Sequence, residues 1–246
     1  MRQRTLFNEG WSFTKQAPEQ NDWQAVTLPH TWNAIDGANG FAYDRGAYTY
    51  RNTFTISQLE QRNRQFIEFG AVNAVANVYL NGVHLGEHRG GYSMFRFELT
   101  NHLHYGMLNT LDVIVDNTAL TDVYPQTADF TFFGGIYRDV HLVSVHPIHF
   151  DLMDYGSTGV YIDQHDVTEQ KADLTVRTRL ANQFEDAGKV RVWVSISKDG
   201  FPVTYAAQEV TLEGGEVKEV ALPLRIMEPS RWDGPHDPQL YVAHVS

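Results

Sequence analysis

An aspartate followed by three phenylalanines is the segment of this sequence best suited to chemistry. Asp129 precedes Phe130, Phe132 and Phe133. A carboxylate accepts hydrogen bonds from hydroxyl groups, and an aromatic ring covers the apolar face of a sugar ring. The combination therefore indicates a sugar-binding loop. The alternative is that the phenylalanines belong to the core and that Asp129 is a turn residue.

The residues that follow this loop are suited to holding it in place. Gly134 and Gly135 allow the backbone to pass close to a neighbouring segment or ligand. From Ile136 to Val143, branched or aromatic residues alternate with polar ones, which predicts a half-buried strand. The aromatic loop would thus be anchored by a strand directly behind it.

Histidines and other aspartates offer two further kinds of chemistry. The histidines that cluster in the sequence are His84, His88, His102 and His104. Zinc needs three or four ligands in a tetrahedral array, and no further motif supplies them, so we predict solvated turn histidines and no metal site. The aspartates that could act as general acid and base are Asp36, Asp44, Asp122 and Asp129. Nothing in their spacing forces any two of them together.

Composition excludes several classes of partner. A net charge of -11 over 246 residues disfavours nucleic acid and anionic membrane, since both bind clustered Lys and Arg. No apolar run has the length of a membrane span, and the basic N-terminal residues are not followed by the apolar region of a secretory signal. Cysteine is absent, which excludes disulfides and thiolate sites. We therefore expect a soluble, cytoplasmic protein.

Short alternating segments indicate an all-β architecture. Asn81 and Gly82 join two alternating runs, which predicts a two-residue hairpin turn with positive φ at both positions. The other strands predicted before residue 146 lie at residues 6–14, 23–28, 46–56, 64–70, 92–99 and 109–116. No apolar stripe at helical spacing interrupts them, so this half is predicted to be a β-sandwich.

A second sandwich is predicted after Pro147, where the strands become more regular and more charged. The predicted strands lie at residues 159–162, 172–180, 189–196, 203–210, 216–222 and 240–245. Turn residues separate them at the intervals expected of an immunoglobulin-like domain.

Four segments form a pattern that is more specific than any one of them. They are Leu-Pro-His-Thr-Trp-Asn at 28–33, Tyr-Thr-Tyr-Arg-Asn-Thr-Phe at 48–54, Val-Tyr-Leu-Asn-Gly-Val-His-Leu-Gly at 78–86 and Phe-Gly-Gly-Ile-Tyr-Arg-Asp-Val at 133–140. Their types and order resemble the start of glycoside hydrolase family 2, which contains β-galactosidases, β-glucuronidases and β-mannosidases. The segment at 229–241 is similar to the segment before the last strands of that family's second domain, so the resemblance covers essentially the whole chain.

The resemblance implies a jelly-roll sugar-binding domain at residues 1–146 and an immunoglobulin-like domain at 147–246 that is C-terminally incomplete. It also implies that both catalytic glutamates lie on a TIM barrel beyond residue 246. A retaining glycosidase needs two carboxyl groups roughly 5–5.5 Å apart, and this sequence lacks the strand–helix alternation of a barrel. We therefore expect a non-catalytic portion of a retaining β-glycosidase, with no catalytic residue of its own.

For the site, the resemblance places Asp129 at an acid that reaches the active site and contacts the sugar. In some relatives this acid also touches sodium, which would apply only to a full-length enzyme; no other cofactor is implied. The loop at 33–44 resembles one that delivers a second polar residue, and Asn33, Asp36 and Asn39 remain alternatives. Arg138 and Asp139 also match the family, but a structural cross-strand ion pair is expected of them.

The leading hypothesis is part of a β-galactosidase acting on a β-linked glycoside, with a homo-oligomeric assembly. Parts of a β-glucuronidase or β-mannosidase are alternatives within the same family. Two further hypotheses are a stand-alone carbohydrate-binding module and a purely structural spacer. A strand edge left unpaired near residue 246 would favour the first reading, because a stand-alone module is expected to close its sheet.

Overall fold

The computed structural model describes residues 2–15, 22–124 and 130–246. Over these residues the chain consists of β-strands joined by loops and short 3₁₀ turns, which confirms the predicted all-β class. It divides into two compact units, Met1–His146 and Pro147–Ser246. Within the described ranges no helix is long and apolar enough to cross a membrane.

The first unit is a jelly-roll sandwich of two antiparallel sheets. Its described strands are β1 (Gln3–Leu6), β2 (Trp11–Thr14), β3 (Gln24–Val26), β4 (Ala47–Thr55), β5 (Arg64–Phe69), β6 (Val75–Leu80), β7 (Val83–Arg89), β8 (Phe95–Glu98), β9 (Leu108–Asp116) and β10 (Val140–Val145). One sheet has the order β1-β10-β5-β8, and the other has the order β3-β2-β4-β9-β6-β7.

Strand β9 shows why these segments fold as a sandwich. It pairs with β4 along one edge and with β6 along the other, so it lies inside its sheet. Because side chains alternate between the two faces of a strand, Leu111, Val113 and Val115 all point inward and are fully buried. They join rings from their own sheet, such as Trp11, and from the facing sheet, such as Phe69, in one continuous core.

The predicted hairpin is confirmed, and the early strand is different from the prediction. Asn81 and Gly82 have φ values of 52° and 81°, and they connect β6 to β7. The segment at 6–14 is not one bent strand but two strands in different sheets. The chain crosses from β1 to β2 near Gly10, whose φ of 77° allows the turn.

Three other predicted strands of the first unit are shorter than expected. β3 occupies only residues 24–26 of the segment predicted at 23–28. β8 occupies only the end of the segment predicted at 92–99. β10 begins at Val140 rather than at Ile136. Before β10, the Ile136 carbonyl accepts a hydrogen bond from the His30 backbone N–H, so the chain pairs with a loop before it enters the sheet.

The second unit is an immunoglobulin-like sandwich, and six of its seven described strands overlap the predicted segments, whereas the first of them was not predicted. Its strands are β11 (Ile148–Phe150), β12 (Val160–Val167), β13 (Lys171–Asn182), β14 (Gly188–Lys198), β15 (Phe201–Leu212), β16 (Val217–Met227) and β17 (Val242–Val245). β11 and β12 pair with successive parts of β13, and β16 also pairs with β13. The facing sheet has the order β15-β14-β17, so the outer edge of β17 has no strand partner among the described residues.

Replacing Leu111 by Ala should lower the free energy of unfolding of the first unit by about 2 to 5 kcal/mol, because it leaves a cavity in a fully packed core. Leu108→Ala is the matched control on the same strand. Leu108 is exposed, so its truncation should change stability by less than about 0.5 kcal/mol. Urea unfolding followed by tryptophan fluorescence measures both, and equal losses would contradict the assigned register of β9.

Candidate functional site

The aromatic loop is half exposed rather than buried. Phe130 and Phe133 expose 52% and 46% of their surface, so the alternative interpretation of both as core residues is wrong. The rings of Phe130 and Phe132 lie 5.6 Å apart, and the Arg45 guanidinium lies 4.6 Å from the centre of the Phe132 ring. Asp129 itself lies outside the described residues, so its predicted role stays a prediction.

Gly134 and Gly135 lie against the loop that contains the Pro-His-Thr-Trp-Asn motif. The Trp32 backbone N–H donates to the Gly134 carbonyl at 3.3 Å. A Cβ atom on Gly134 would lie 2.1 Å from the Trp32 ring, and one on Gly135 would lie 2.4 Å from the His30 carbonyl oxygen. The predicted close approach is confirmed, and it explains why these two motifs occur in one sequence.

Asn33 is fully buried and joins the two loops. Its side-chain amide donates to the carbonyl oxygens of Asp44 and Phe132 at 3.1 and 3.0 Å, and its Oδ1 accepts from the Gly134 N–H at 2.9 Å. These contacts position the aromatic loop with respect to residues 34–44. Any effect of Asn33 on a ligand would therefore be indirect, through the loops that it holds in place.

Asp36 and Asn39, the other two alternatives, lie in different settings. Asp36 accepts a hydrogen bond from the Asp44 N–H at 2.9 Å, which closes the loop at its base. Asn39 lies in an exposed 3₁₀ turn that ends at Gly40, a residue with a φ of 75°. The structure thus brings Asn33 and Asp36 together at Asp44, while Asn39 faces solvent at the tip.

Two asparagines that carried no sequence motif complete the support of the aromatic loop. Asn117 donates to the Phe132 carbonyl at 2.9 Å and accepts from the Gly46 N–H at 3.0 Å. Asn73 donates its side-chain amide to the Phe133 carbonyl, and its backbone pairs with Gly135. Neither could be recognised from spacing, because both lie just beyond regular strands and their partners are distant in the sequence.

Asp44 is the charged anchor of the loop at 33–44. Its carboxylate accepts from Lys15 and from the Tyr48 hydroxyl, the latter at 2.6 Å. Burial acts to raise the pKa of Asp44, but the hydrogen bonds from Lys15 and Tyr48 outweigh it and lower that pKa. Burial and the neighbouring Asp44 carboxylate raise the pKa of Tyr48 to about 12. The carboxylate is therefore ionised and the phenol neutral at physiological pH.

Arg138 and Asp139 make structural contacts, as expected, but not as an ion pair. Asp139 accepts from the Asn8 side-chain amide at 2.8 Å, and Arg138 donates to the Tyr92 carbonyl at 3.4 Å. Their predicted cross-strand pairing is wrong, because both residues precede β10 and have no strand partner opposite them.

Two of the four clustered histidines have local side-chain partners. His84 hydrogen-bonds to Asn77 at 3.1 Å, and His88 hydrogen-bonds to Ser93 at 3.2 Å. In the described ranges, no three or more His, Asp or Glu side chains are arranged to hold a metal ion.

The half-exposed phenylalanines and the loops that support them form an open rim rather than an enclosed pocket. A shallow cleft lies behind Phe132, lined in part by Arg45, Asn73, Asn117 and Tyr124. Half-exposed rings can cover apolar faces of a ligand, and loop carbonyls can accept hydrogen bonds from its hydroxyl groups. This geometry suits one wall of a ligand site.

Two family models match the chain. The model for glycosyl hydrolases family 2, sugar binding domain, matches residues 11–147, and the model for glycosyl hydrolases family 2 matches residues 158–246. These matches place the chain among carbohydrate-active proteins. It consists of a β-sandwich with an aromatic rim, followed by a second β-sandwich. The chain belongs to glycosyl hydrolase family 2.

Curated relatives and solved structures agree with this assignment. A β-glucuronidase from Bacteroides fragilis is 37% identical over the whole of this chain, and the match covers 35% of that relative. A β-galactosidase from Bacteroides ovatus is 32% identical over 94% of this chain, and the match covers 28% of that relative. The structure of a putative β-galactosidase from Bacteroides fragilis has a TM-score of 0.92 at 34% identity, with 98% of this chain and 38% of that one covered. A β-glucuronidase from Bacteroides uniformis has a TM-score of 0.91 at 34% identity, with 98% and 30% covered.

Asn33→Ala should lower the free energy of unfolding of the first unit by about 3 kcal/mol, because it leaves a buried N–H and two carbonyl groups without their partner. Asn39→Ala, in the same loop but exposed, is the control and should cost less than about 0.5 kcal/mol. Urea unfolding measures both variants. Equal stability of the Asn33 variant and the wild type would show that the loops do not depend on this amide.

Asp44→Asn should destabilise the protein near neutral pH, with an effect that shrinks in acid. Because hydrogen bonds hold the folded-state pKa of Asp44 below its unfolded value of about 3.9, the ionised carboxylate stabilises the fold above that pH. This contribution is lost as the pH falls through the folded-state pKa. Urea unfolding of both proteins between about pH 7 and pH 3 tests this. A difference that stays constant with pH would contradict it.

Proposed function

We propose that this chain forms the accessory β-domains of a longer β-glycosidase. The observation that carries the proposal is the match of both family models, in order, to the two units of the chain. The chain spans about a third or less of the length of the curated relatives named above. Since a TIM barrel requires alternating strands and helices and the described residues form strands, the hydrolytic carboxylates belong to another part of such an enzyme.

The proposed substrate is a β-glucuronide, and a β-galactoside is the second candidate. Relatives at 37% and 34% identity are named β-glucuronidases. A relative at 32% identity is named a β-galactosidase and a solved structure at 34% identity a putative β-galactosidase, which keeps that sugar as an alternative. Both sugars present several hydroxyl groups and an apolar face, so an aromatic rim with a carboxylate suits either.

In this proposal Asp129 accepts hydrogen bonds from sugar hydroxyls, and the half-exposed rings of Phe130 and Phe133 line the subsite beside it. Asn33 and Asp36 support the subsite by holding the loops, while Asn39 is exposed and free to face a ligand.

A sodium ion beside Asp129 and a homo-oligomeric assembly stay predictions. A stand-alone sugar-binding module is the competing function, since the rim would then bind a glycan without any further domain.

A chimera tests the proposal. This chain would replace the matching 246-residue region of the Bacteroides fragilis β-glucuronidase. We expect the chimera to hydrolyse nitrophenyl β-glucuronide and the isolated chain to hydrolyse neither the β-glucuronide, the β-galactoside nor the β-mannoside. Asp129→Ala in the chimera should lower kcat/KM by about 10- to 100-fold, the value of a hydrogen bond to a charged group.

Asp199→Asn is the control, because this acid lies in the turn between β14 and β15 of the second unit. It should leave kcat/KM unchanged. An active chimera that is insensitive to Asp129→Ala would contradict the role of Asp129. Hydrolysis by the isolated chain would contradict the accessory role. Tight binding of a monosaccharide to the isolated chain, lost in Asp129→Ala, would favour the stand-alone module.

A further inference from the structure

Two stacked aromatic rings lie on the outer face of the three-stranded sheet of the second unit. The rings of Trp193 on β14 and Tyr205 on β15 are 5.0 Å apart and 8° from parallel. Val192 and Val194, the neighbours of Trp193 along β14, are buried in the core. Because side chains alternate along a strand, Trp193 points away from that core. Tyr205 is 69% exposed, so the pair of rings is open to a ligand.

Polar side chains stand beside these rings on the same face. On β14, Ser195 lies opposite Tyr205 on one side and opposite His244 of β17 on the other. Residues directly opposite each other in a sheet share a face. Neither the Ser195 hydroxyl nor the His244 imidazole forms a hydrogen bond with a described residue. Rings that can cover an apolar face, next to groups that can bind hydroxyls, are what a sugar requires.

A positive charge without an acidic partner lies at one end of this face. The Arg191 guanidinium carbon is 5.7 Å from the centre of the Trp193 ring, a contact that uses none of its five N–H donors. Among the described residues Arg191 forms no ion pair, whereas every other arginine and lysine of the second unit does. Those residues are Lys171, Arg177, Arg179, Lys189, Lys198, Lys218, Arg225 and Arg231.

The nearest acid does not neutralise Arg191. Glu209 lies opposite Arg191 in the register, but it forms its ion pair with Lys189 at 3.0 Å. None of the three has another ionic partner among the described residues, so this end of the face has one positive charge in excess. The chain as a whole is negative, but charges more than about 8 Å away are screened at physiological salt. The local charge therefore favours an anionic group.

The distance between the charge and the outer ring sets the size of the ligand. Tyr205 lies opposite Ser195, which is four residues from Arg191 along β14. At about 3.3 Å per residue, these two ends of the face are about 13 Å apart. A single sugar ring is too small to contact both, whereas a short chain of sugar units can.

We propose that the outer face of β14, β15 and β17 binds an acidic oligosaccharide, one whose sugar units carry carboxylates. Trp193 and Tyr205 cover the apolar faces of sugar units, and Arg191 binds a carboxylate through paired N–H donors. A neutral glycan would leave Arg191 unpaired, and an acidic peptide would not supply the ring faces. This surface belongs to the second unit, whereas the candidate functional site belongs to the first.

Two tetrasaccharides that differ only in their carboxylates test the proposal. One is a tetramer of β-1,4-linked glucuronate and the other a tetramer of β-1,4-linked glucose. Calorimetry with the whole chain at constant ionic strength gives the Kd of each, and we expect the glucuronate tetramer to bind about tenfold or more tightly. Tyr205→Ala should weaken the binding of both about tenfold, because it removes a stacking surface. Arg191→Gln should weaken only the glucuronate tetramer, to the level of the neutral one.

The matched controls remove the same groups elsewhere in the second unit. Tyr155→Ala removes an almost fully exposed ring from the loop between β11 and β12. Arg225→Gln removes a guanidinium from β16, in the facing sheet. Both should bind the glucuronate tetramer as the wild type does, and circular dichroism verifies that each variant is folded.

Three results would overturn the proposal. They are the absence of saturable binding of the glucuronate tetramer, binding that Tyr205→Ala and Arg191→Gln both retain unchanged, and equal affinity for the two tetramers. Tetraglutamate that binds as tightly as the glucuronate tetramer would also overturn it, because the face would then be assigned to an acidic peptide.

Discussion

The backbone at Gly134 and Gly135 passes so close to the loop at 30–33 that a side chain at either position would collide with the Trp32 ring or the His30 carbonyl. Other features of the candidate site depend on this approach. Because the two segments are in contact, the Trp32 and His30 N–H groups can donate to the carbonyls of Gly134 and Ile136. A Cβ at position 134 or 135 would separate the segments and break this pairing.

Asparagine side chains convert this backbone contact into a defined loop geometry. Asn33 and Asn117 both donate to the Phe132 carbonyl, and Asn73 donates to the carbonyl of Phe133. An amide carries both donors and acceptors, so one side chain can satisfy two segments of irregular backbone at once. The aromatic rings can then stay half exposed, because the loop is held by its backbone and does not need to bury its side chains.

Charge is used differently on the two sheets of the first unit. Near the candidate site, Asp44 is balanced by Lys15 and by the Tyr48 hydroxyl, and it anchors a loop. In the four-stranded sheet, Glu68 is outnumbered by the arginines around it. The first arrangement is closed and structural. In the second, three guanidinium groups share one buried carboxylate.

Much of the fold could be read from the sequence, because alternation of apolar and polar residues reports directly on which face of a strand is buried. Six of the seven described strands of the second unit and the Asn81-Gly82 hairpin follow from this local information. The resemblance to family 2, carried by short motifs in order, correctly indicated the family. The limits of β1, β2 and β10 did not follow, since they depend on which sheet each segment joins.

The sequence by itself determined the approximate strand pattern, the possibility of a close backbone approach at Gly134 and Gly135, and the presence of aromatic residues beside Asp129. Only the tertiary structure decided that Asn33 holds two loops, that Asn73 and Asn117 support the rings, and that three arginines share Glu68. The physical reason is the same in each case. Alternation and turn propensity act between residues that are close in the chain, whereas these hydrogen bonds join residues whose positions are fixed only when the sheets have paired and packed.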